Sequence, residues 1–392
     1  VDLNGGKLTL LQETDTSYAG QIDDIQGDKG SLLKQGKGTL TLAGNSHYLG
    51  NTTIAHGGIT LDGTLESLNL DVQKDGTLTN NHSGLSALAK LNNDGIVNQN
   101  SDDTIKALVN TGTINKSTDG KATLTADTYA LNEGSVIHAN LGTGVVTANG
   151  KVQLNGTSSA QTVNVESGVM TLGSAERLLN SSDVTVDGKL VMGGNETIGT
   201  LAGAASGVVE LSGSKLTLEQ NHNTVFDGVI QDKDGDKGTL LKHGTGEITL
   251  NGNHTFSGDT TVDGGKVQLN GTLVSKTVHI TKGTLTLGSA ERLLNTSDVT
   301  VDDKLIMGGN ETIGTLAGTT ANAIVDLNGG KLTLLQEKDT RYAGQIDDAS
   351  ATKGSVLKQG KSTLTLSGNS HYLGNTTIAQ GAIILDGTLA SL

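Results

Sequence analysis

Short runs in which apolar residues alternate with threonine recur along the whole chain. Residues 7–10, 39–42 and 59–61 are examples, and such runs end close to Gly-Asn or Asp-Gly pairs. Alternation with a period of two is typical of β-strands, and Gly, Asn and Asp favour the tight turns between them. The pattern therefore predicts many short strands and little helix.

Two strand-and-turn modules return as long internal repeats. Residues 1–68, 209–273 and 325–392 are copies of one module, and residues 151–207 and 266–323 are copies of a second. Residues 66–150 lie outside this scheme and are predicted to be degenerate or inserted coils. Because a solenoid grows simply by stacking further repeats, we expect one continuous all-β fold over residues 1–392. The predicted class is a single-stranded, right-handed parallel β-helix.

Comparison of the module copies predicts which side chains form the core. Leucine is kept in the first two copies of the first module at Leu3/Leu211, Leu8/Leu216, Leu10/Leu218, Leu33/Leu241, Leu42/Leu250, Leu61/Leu269 and Leu65/Leu273. Apart from Tyr129, the aromatic residues fall at two equivalent positions, Tyr18/Phe226/Tyr342 and Tyr48/Phe256/Tyr372. Both sets are predicted to be structural.

Composition narrows the classes of partner and cofactor. The 392 residues contain 56 Gly, no Pro, no Cys and no Trp, and their formal net charge is -14. This charge opposes nucleic-acid binding, and the lack of Cys excludes disulfides and thiolate metal sites. No apolar run approaches the roughly 18 residues of a membrane helix, and the first residues do not resemble a signal peptide. We expect the chain to be a piece of a longer protein.

One stretch resembles the autotransporter-associated β-strand repeat of bacterial surface proteins. It comprises residues 242–253 followed by Phe256, Gly258, Thr260, Thr261, Gly264, Gly265 and Leu269. The resemblance implies an adhesin-like passenger domain of a type V secretion system, with a right-handed parallel β-helix. It also implies a place at the bacterial cell surface, outer-membrane anchored or released. The tether would be a separate C-terminal β-barrel that these residues do not include.

The clearest local signal for a cofactor is an acidic turn. Asp232, Asp234 and Asp236 are spaced like the first ligands of an EF-hand calcium loop. Lys237 and His243 stand where that loop needs Gly and Glu, so a solvated acidic turn is the alternative to a calcium site. No catalytic residues are predicted, because there is no Cys and no G-x-S-x-G string, and adjacent acids in a strand point to opposite faces.

These observations favour a non-enzymatic adhesin. Its partners would be like chains on neighbouring cells, which gives cell–cell aggregation or biofilm, or a host extracellular-matrix protein or glycan. Self-association between negatively charged chains would need local complementarity and would be sensitive to salt or calcium. One alternative is an inert stalk presenting a functional tip outside this segment. Another is a glycan-active β-helix, which the scarcity of aromatic residues disfavours.

Overall fold

The computed structural model describes residues 1–24, 29–233, 235–349 and 353–390, and in these residues every regular element is a β-strand. The chain divides into two compact units. Unit 1 comprises Val1–Ser182 and Gly188–Leu190, and unit 2 comprises Asp183–Asp187 and Val191–Leu392. Parallel strands stack as a β-solenoid of about 19 turns. The predicted fold class is confirmed.

Unit 1 contains seventeen complete strands. They are β1 Lys7–Leu11, β2 Thr16–Tyr18, β3 Ser31–Gln35, β4 Thr39–Leu42, β5 Ser46–His47, β6 Asn51–Leu61, β7 Leu65–Glu66, β8 Asn69–Asn80, β9 Lys90–Asn93, β10 Ile96–Gln99, β11 Asp103–Asn110, β12 Thr113–Lys116, β13 Thr123–Leu131, β14 Val136–Ile137, β15 Asn140–Leu141, β16 Val145–Leu154 and β17 Thr162–Leu172.

The remaining strands belong to unit 2, except that β19 spans the division between the units. They are β18 Asp183–Val186, β19 Lys189–Val191, β20 Glu196–Ile198, β21 Thr200–Ala202, β22 Val208–Glu210, β23 Lys215–Leu218, β24 Thr224–Phe226, β25 Val229–Gln231, β26 Thr239–His243, β27 Glu247–Leu250, β28 Thr260–Leu269, β29 Thr277–Leu287, β30 Asp298–Val301, β31 Lys304–Ile306, β32 Glu311–Ile313, β33 Thr315–Ala317, β34 Ile324–Asp326, β35 Lys331–Leu334, β36 Thr340–Tyr342, β37 Gln345–Asp347, β38 Ser355–Lys358, β39 Thr363–Leu366, β40 Ser370–His371, β41 Thr376–Ile378, β42 Ala382–Leu385 and β43 Leu389–Ala390.

Each coil places its strands beside the equivalent strands of the next coil. In unit 1, Leu8 lies beside Leu32, 24 residues later, whereas Leu91 lies beside Leu108, 17 residues later. A buried column of unit 1 is Leu32, Thr52, Leu70, Leu91, Leu108, Tyr129, Val146 and Val163. A buried column of unit 2 is Leu216, Leu240, Thr260, Val278, Val299 and Leu316. The core is thus a stack of aliphatic rungs.

The predicted leucine core is only partly correct: in the first copy of the first module, Leu42, Leu61 and Leu65 are buried, whereas Leu3, Leu8 and Leu10 are half-exposed. In the middle copy of the first module, Leu211, Leu216, Leu218, Leu250, Leu269 and Leu273 are buried. The prediction for Leu33 and Leu241 is wrong, because both are half-exposed, and the buried residues are their neighbours on either side. Adjacent strand residues point to opposite faces, so two consecutive leucines cannot both enter the core.

The residue after that leucine is a buried lysine in all three copies: Lys34, Lys242 and Lys358. The ammonium groups donate to main-chain carbonyls. Lys242 Nζ lies 2.9 Å from the oxygens of both Gly244 and Gly264, and Lys358 Nζ lies 2.9 Å from Gly360 O. Buried charge is tolerated when it is hydrogen-bonded, and here the bend after the lysine and the next coil supply the acceptors.

We expect stability to rise with pH in the alkaline range because of these lysines. Burial lowers the pKa of Lys242 to about 8. Between pH 8 and 10 the unfolded chain therefore binds more protons at this site than the folded chain, so deprotonation favours folding. Burial also lowers the pKa of Lys34 and Lys358. Lys242→Met should flatten the rise in urea-unfolding free energy between pH 8 and 10, whereas Lys266→Met, at a half-exposed position, should leave it unchanged. An unchanged slope in Lys242→Met would contradict this assignment.

Buried aromatic residues fill equivalent positions of the core, as predicted. Phe226, Phe256, Tyr342 and Tyr372 are at most 1% exposed. The hydroxyl of Tyr372 lies 2.5 Å from Thr376 Oγ1, as that of Tyr48 lies 2.6 Å from Thr52 Oγ1. Phe256 has no hydroxyl, and there Thr260 Oγ1 lies 2.6 Å from Ser275 Oγ instead.

One buried histidine has a structural role. His254 is fully buried at the position that Ser46 and Ser370 hold in the other copies. Its Nδ1 accepts the N–H of Ile230 in the preceding coil at 3.1 Å, as Ser370 Oγ accepts that of Ile346 at 3.1 Å. Burial lowers the pKa of His254 to about 4, so the ring is neutral at physiological pH. His254 therefore replaces a serine as acceptor for this main-chain N–H.

Candidate functional surface

A continuous column of uncharged polar side chains runs over one outward face of unit 1. We call it the threonine–asparagine column; it comprises Ser17, Thr41, Thr60, Thr79, Asn98 and Asn115 on six neighbouring strands. Asn98 donates to Thr79 Oγ1 at 3.1 Å, and Asn115 donates to Asn98 Oδ1 at 2.9 Å. Ser17 is exposed and the other members are half-exposed. Hydroxyl and amide groups both donate and accept hydrogen bonds, so this face can meet either kind of partner group.

Many charged and amide side chains elsewhere on the surface are bonded to the next coil. Asn81 donates to Asp62 Oδ1 at 2.8 Å, and Asn100 donates to Asn81 Oδ1 at 2.8 Å. His47 lies between two carboxylates, 3.5 Å from that of Asp23 and 3.4 Å from that of Glu66. These contacts stabilise the stacking of coils, and they leave fewer carboxylates free for a partner.

The acidic turn that predicts calcium is only partly described. Asp234 lies outside the described residues, so the site of Asp232, Asp234 and Asp236 stays a prediction. The Asp232 carboxylate accepts the N–H of Gly238 at 2.7 Å and that of Ser257 at 2.8 Å. Within the described ranges, no group of three or more His, Cys, Asp or Glu side chains is arranged to hold a metal ion.

Asp232 has the same structural role as its counterparts in the other copies. Asp24 accepts the N–H of Gly30, and Asp348 accepts that of Gly354 at 2.6 Å, each six residues later. These carboxylates therefore close a loop by hydrogen bonding to its far end. Comparison of the copies could have revealed this role, because aspartate stands at all three positions, whereas Asp234 is replaced by Gln26 and Ser350.

Two equivalent grooves form at the N-terminal ends of strands in three consecutive coils. Groove A, of about 430 Å³, is lined by Lys7, Lys29, Ser31, Leu32, Leu49, Gly50, Asn51, Thr53 and Leu68. Groove B, of about 480 Å³, is lined by Lys331, Lys353, Ser355, Val356, Leu357, Leu373, Gly374, Asn375 and Thr377. Each combines two exposed lysines with hydroxyl, amide and aliphatic groups, and among the described residues neither lining contains a carboxylate. The sequence interpretation missed both grooves, although the lysines recur at the same module positions.

A third cleft, of about 360 Å³, lies within the segment that matches neither module. It is lined by Ser83, Ser86, Asp102, Asp103, Thr104, Thr123 and Thr125. Burial raises the pKa of Asp103, although its Oδ2 accepts the N–H of Leu85 at 2.7 Å and the amide of Asn80 at 2.9 Å. Because these bonds occupy the carboxylate, Asp103 serves to order the local backbone.

Comparison with known protein families identifies a repeat in this chain. The passenger-associated-transport-repeat matches residues 32–61, 240–269 and 356–385, once in each copy of the first module. No curated protein and no solved structure gives a significant match. Within the described part of the chain, no helix is long and apolar enough to cross a membrane. Repeats of this kind imply surface or extracellular display. The chain is therefore a β-solenoid that contains three passenger-associated-transport-repeats, which is consistent with an autotransporter passenger domain.

Proposed function

We propose that this passenger is a non-enzymatic adhesin of the outer bacterial surface, acting in cell–cell aggregation, biofilm formation or attachment to a host. The observation that carries the proposal is the threonine–asparagine column. Its members repeat at the spacing of neighbouring strands, about 4.8 Å, so weak polar contacts can add along several coils.

Self-association through this column is compatible with the charge of the protein. Two copies with a net charge of -14 repel each other. The column contains no charged residue, and each hydroxyl or amide can pair with the same group of a second copy. A second copy is therefore the partner that this face fits best.

A spacer role is the second candidate function. Other outward side chains are bonded within the solenoid, as where Thr111 donates to Asp94 at 2.6 Å and Asn270 donates to Asn251 at 2.8 Å. A surface whose polar groups are already paired suits a shaft that presents a binding site elsewhere.

Glutamates placed in the column are expected to abolish self-association. We would display the chain on non-adherent bacteria and compare wild type with Thr41→Glu/Thr60→Glu/Thr79→Glu. Like charges facing each other across the interface oppose contact, so the settled fraction of cells should fall to that of cells without the passenger. The matched control is Thr147→Glu/Asn164→Glu/Thr171→Glu, with the same added charge at half-exposed positions of unit 1 outside the column. It should settle like wild type.

Two further readouts separate the alternatives. Settling that is equal in both triple variants and wild type would contradict a role for the column. Absence of both settling and binding to immobilised matrix proteins, even in wild type, would favour the spacer role. Loss of settling on chelation, restored by calcium, would support ligation by Asp232, Asp234 and Asp236.

A further inference from the structure

We propose that grooves A and B are two equivalent binding sites for acidic saccharide units carrying a carboxylate or sulfate group. This inference deepens the proposed adhesive function by naming a class of ligand. The two cavities belong to different units, yet they have the same residue types at the same module positions.

The charges lining the grooves select an anion. Lys7 and Lys29 line groove A, and Lys331 and Lys353 line groove B. Within the described residues, none of these ammonium groups is in an ion pair. Lysine binds carboxylate, sulfate or phosphate as a point charge through strong charge-assisted hydrogen bonds. In a protein of net charge -14, a pocket whose described lining contains two lysines and no acid is a local exception.

The remaining lining residues suit a saccharide better than a protein side chain. Ser31, Thr53 and Asn51 offer hydroxyl and amide groups for sugar hydroxyls, and Leu32 and Leu49 provide an aliphatic surface for a ring face. Volumes of about 430 and 480 Å³ lie within the range of small-molecule sites. A single Asp or Glu side chain of a second copy would leave most of this space empty.

The middle copy of the module provides a natural comparison. It keeps both lysines, as Lys215 and Lys237, but has Asp259 where the grooves have Asn51 and Asn375. Ser257 replaces the leucine and is bonded to Asp232. A carboxylate at this place repels an anion, so we expect two binding sites in the chain and not three.

The test is a calorimetric titration of the purified 392-residue chain with three hexasaccharides. The sulfated probe is derived from heparin, the carboxylated probe is hexagalacturonate, and the neutral probe is maltohexaose. Wild type should bind two molecules of at least one acidic probe, with affinity that falls as salt rises, and none of the neutral one. Which acidic probe binds identifies the anionic group.

Substitutions in the grooves should change the number of sites. Lys7→Gln/Lys29→Gln should leave one site, and the additional changes Lys331→Gln/Lys353→Gln should leave none. Asn51→Asp/Asn375→Asp, which keeps all four lysines, should weaken binding by roughly tenfold or more, because it adds like charge to a site made for an anion. The matched control Lys215→Gln/Lys237→Gln removes the same charge from the middle copy and should retain two sites.

Several outcomes would overturn the inference. One is that Lys215→Gln/Lys237→Gln weakens saccharide binding as much as the groove substitutions do. The others are that maltohexaose binds as tightly as the acidic probes, or that neither acidic probe binds. If the groove variants alter sedimentation of the chain but not saccharide binding, the grooves hold a second copy and not a sugar. The titration uses purified protein and does not depend on the settling of cells. If the chain binds an acidic saccharide but Thr41→Glu/Thr60→Glu/Thr79→Glu settles like wild type, only the proposed self-association through the column is contradicted.

Discussion

Replacing Phe256 with alanine is expected to lower the free energy of unfolding by about 3–5 kcal/mol, the cost of removing a large buried ring. Phe256 is fully buried in unit 2. Because each coil contacts only its neighbours, the loss should be local. Amide hydrogen exchange followed by mass spectrometry should show reduced protection in β26 to β29, with little change in β8 to β13.

The control for this prediction is Tyr48→Phe at the equivalent position of the first copy. This substitution removes only the hydroxyl bonded to Thr52 and should lower the free energy of unfolding by about 0.5–1.5 kcal/mol. Phe256→Tyr should be tolerated, because Thr260 stands at the position from which Thr52 shares a hydrogen bond with the tyrosine hydroxyl in the first copy. If Phe256→Ala costs no more than Tyr48→Phe, the ring does not support the core as described.

The second large effect concerns Glu311, whose side chain is 1% exposed. Its carboxylate accepts the N–H groups of Leu293 at 2.8 Å and Arg292 at 2.9 Å. Burial nevertheless raises the pKa of Glu311 to about 7, helped by repulsion from Glu291. The folded protein therefore keeps this proton between pH 4.5 and 7, while the unfolded chain releases it. Unfolding free energy should fall by about 3 kcal/mol across that window from this group alone.

Glu311→Gln should remove this contribution from the pH profile. Urea unfolding at pH 4.5, 5.5, 7 and 8 measures the difference, and Glu166→Gln, at an exposed position of unit 1, is the control. Some slope should persist in Glu311→Gln, because burial also raises the pKa of Asp103 and Asp347. If Glu311→Gln changes the slope of the pH profile no more than Glu166→Gln does, the assignment to Glu311 is wrong.

The fold was predictable because its determinants are local and repeated. Alternating Leu and Thr between Gly-Asn turns specify strands, and the recurrence of whole modules specifies stacking. The face that each residue occupies was predictable only where the alternation is unambiguous. In Leu32-Leu33-Lys34, strand alternation allows two arrangements. Either Leu33 alone is buried, or Leu32 and Lys34 are both buried. Only the position of the carbonyls around Lys34 decides it, and those come from a bend and from the next coil.

The candidate site was less predictable, because it depends on residues from three coils. Lys7, Ser31 and Asn51 are separated by about one coil each, and nothing in a linear pattern shows that they enclose a groove. The acidic turn at Asp232 drew attention because its spacing is local. The same spacing serves loop closure, as Asp24 and Asp348 show.

The residue-by-residue match between module copies also bears on how the gene can change. Equivalent residues face equivalent neighbours in the following coil: Leu40 faces Ile59, Ile248 faces Val267 and Leu364 faces Ile383. A crossover between the DNA of two copies would therefore join coils whose side chains already fit. Whole modules can therefore be lost or gained without disturbing the pairing of strands at the junction. An insertion inside a strand would instead shift every later residue of that coil out of register with its neighbours. Length differences between related genes should accordingly come in multiples of complete modules.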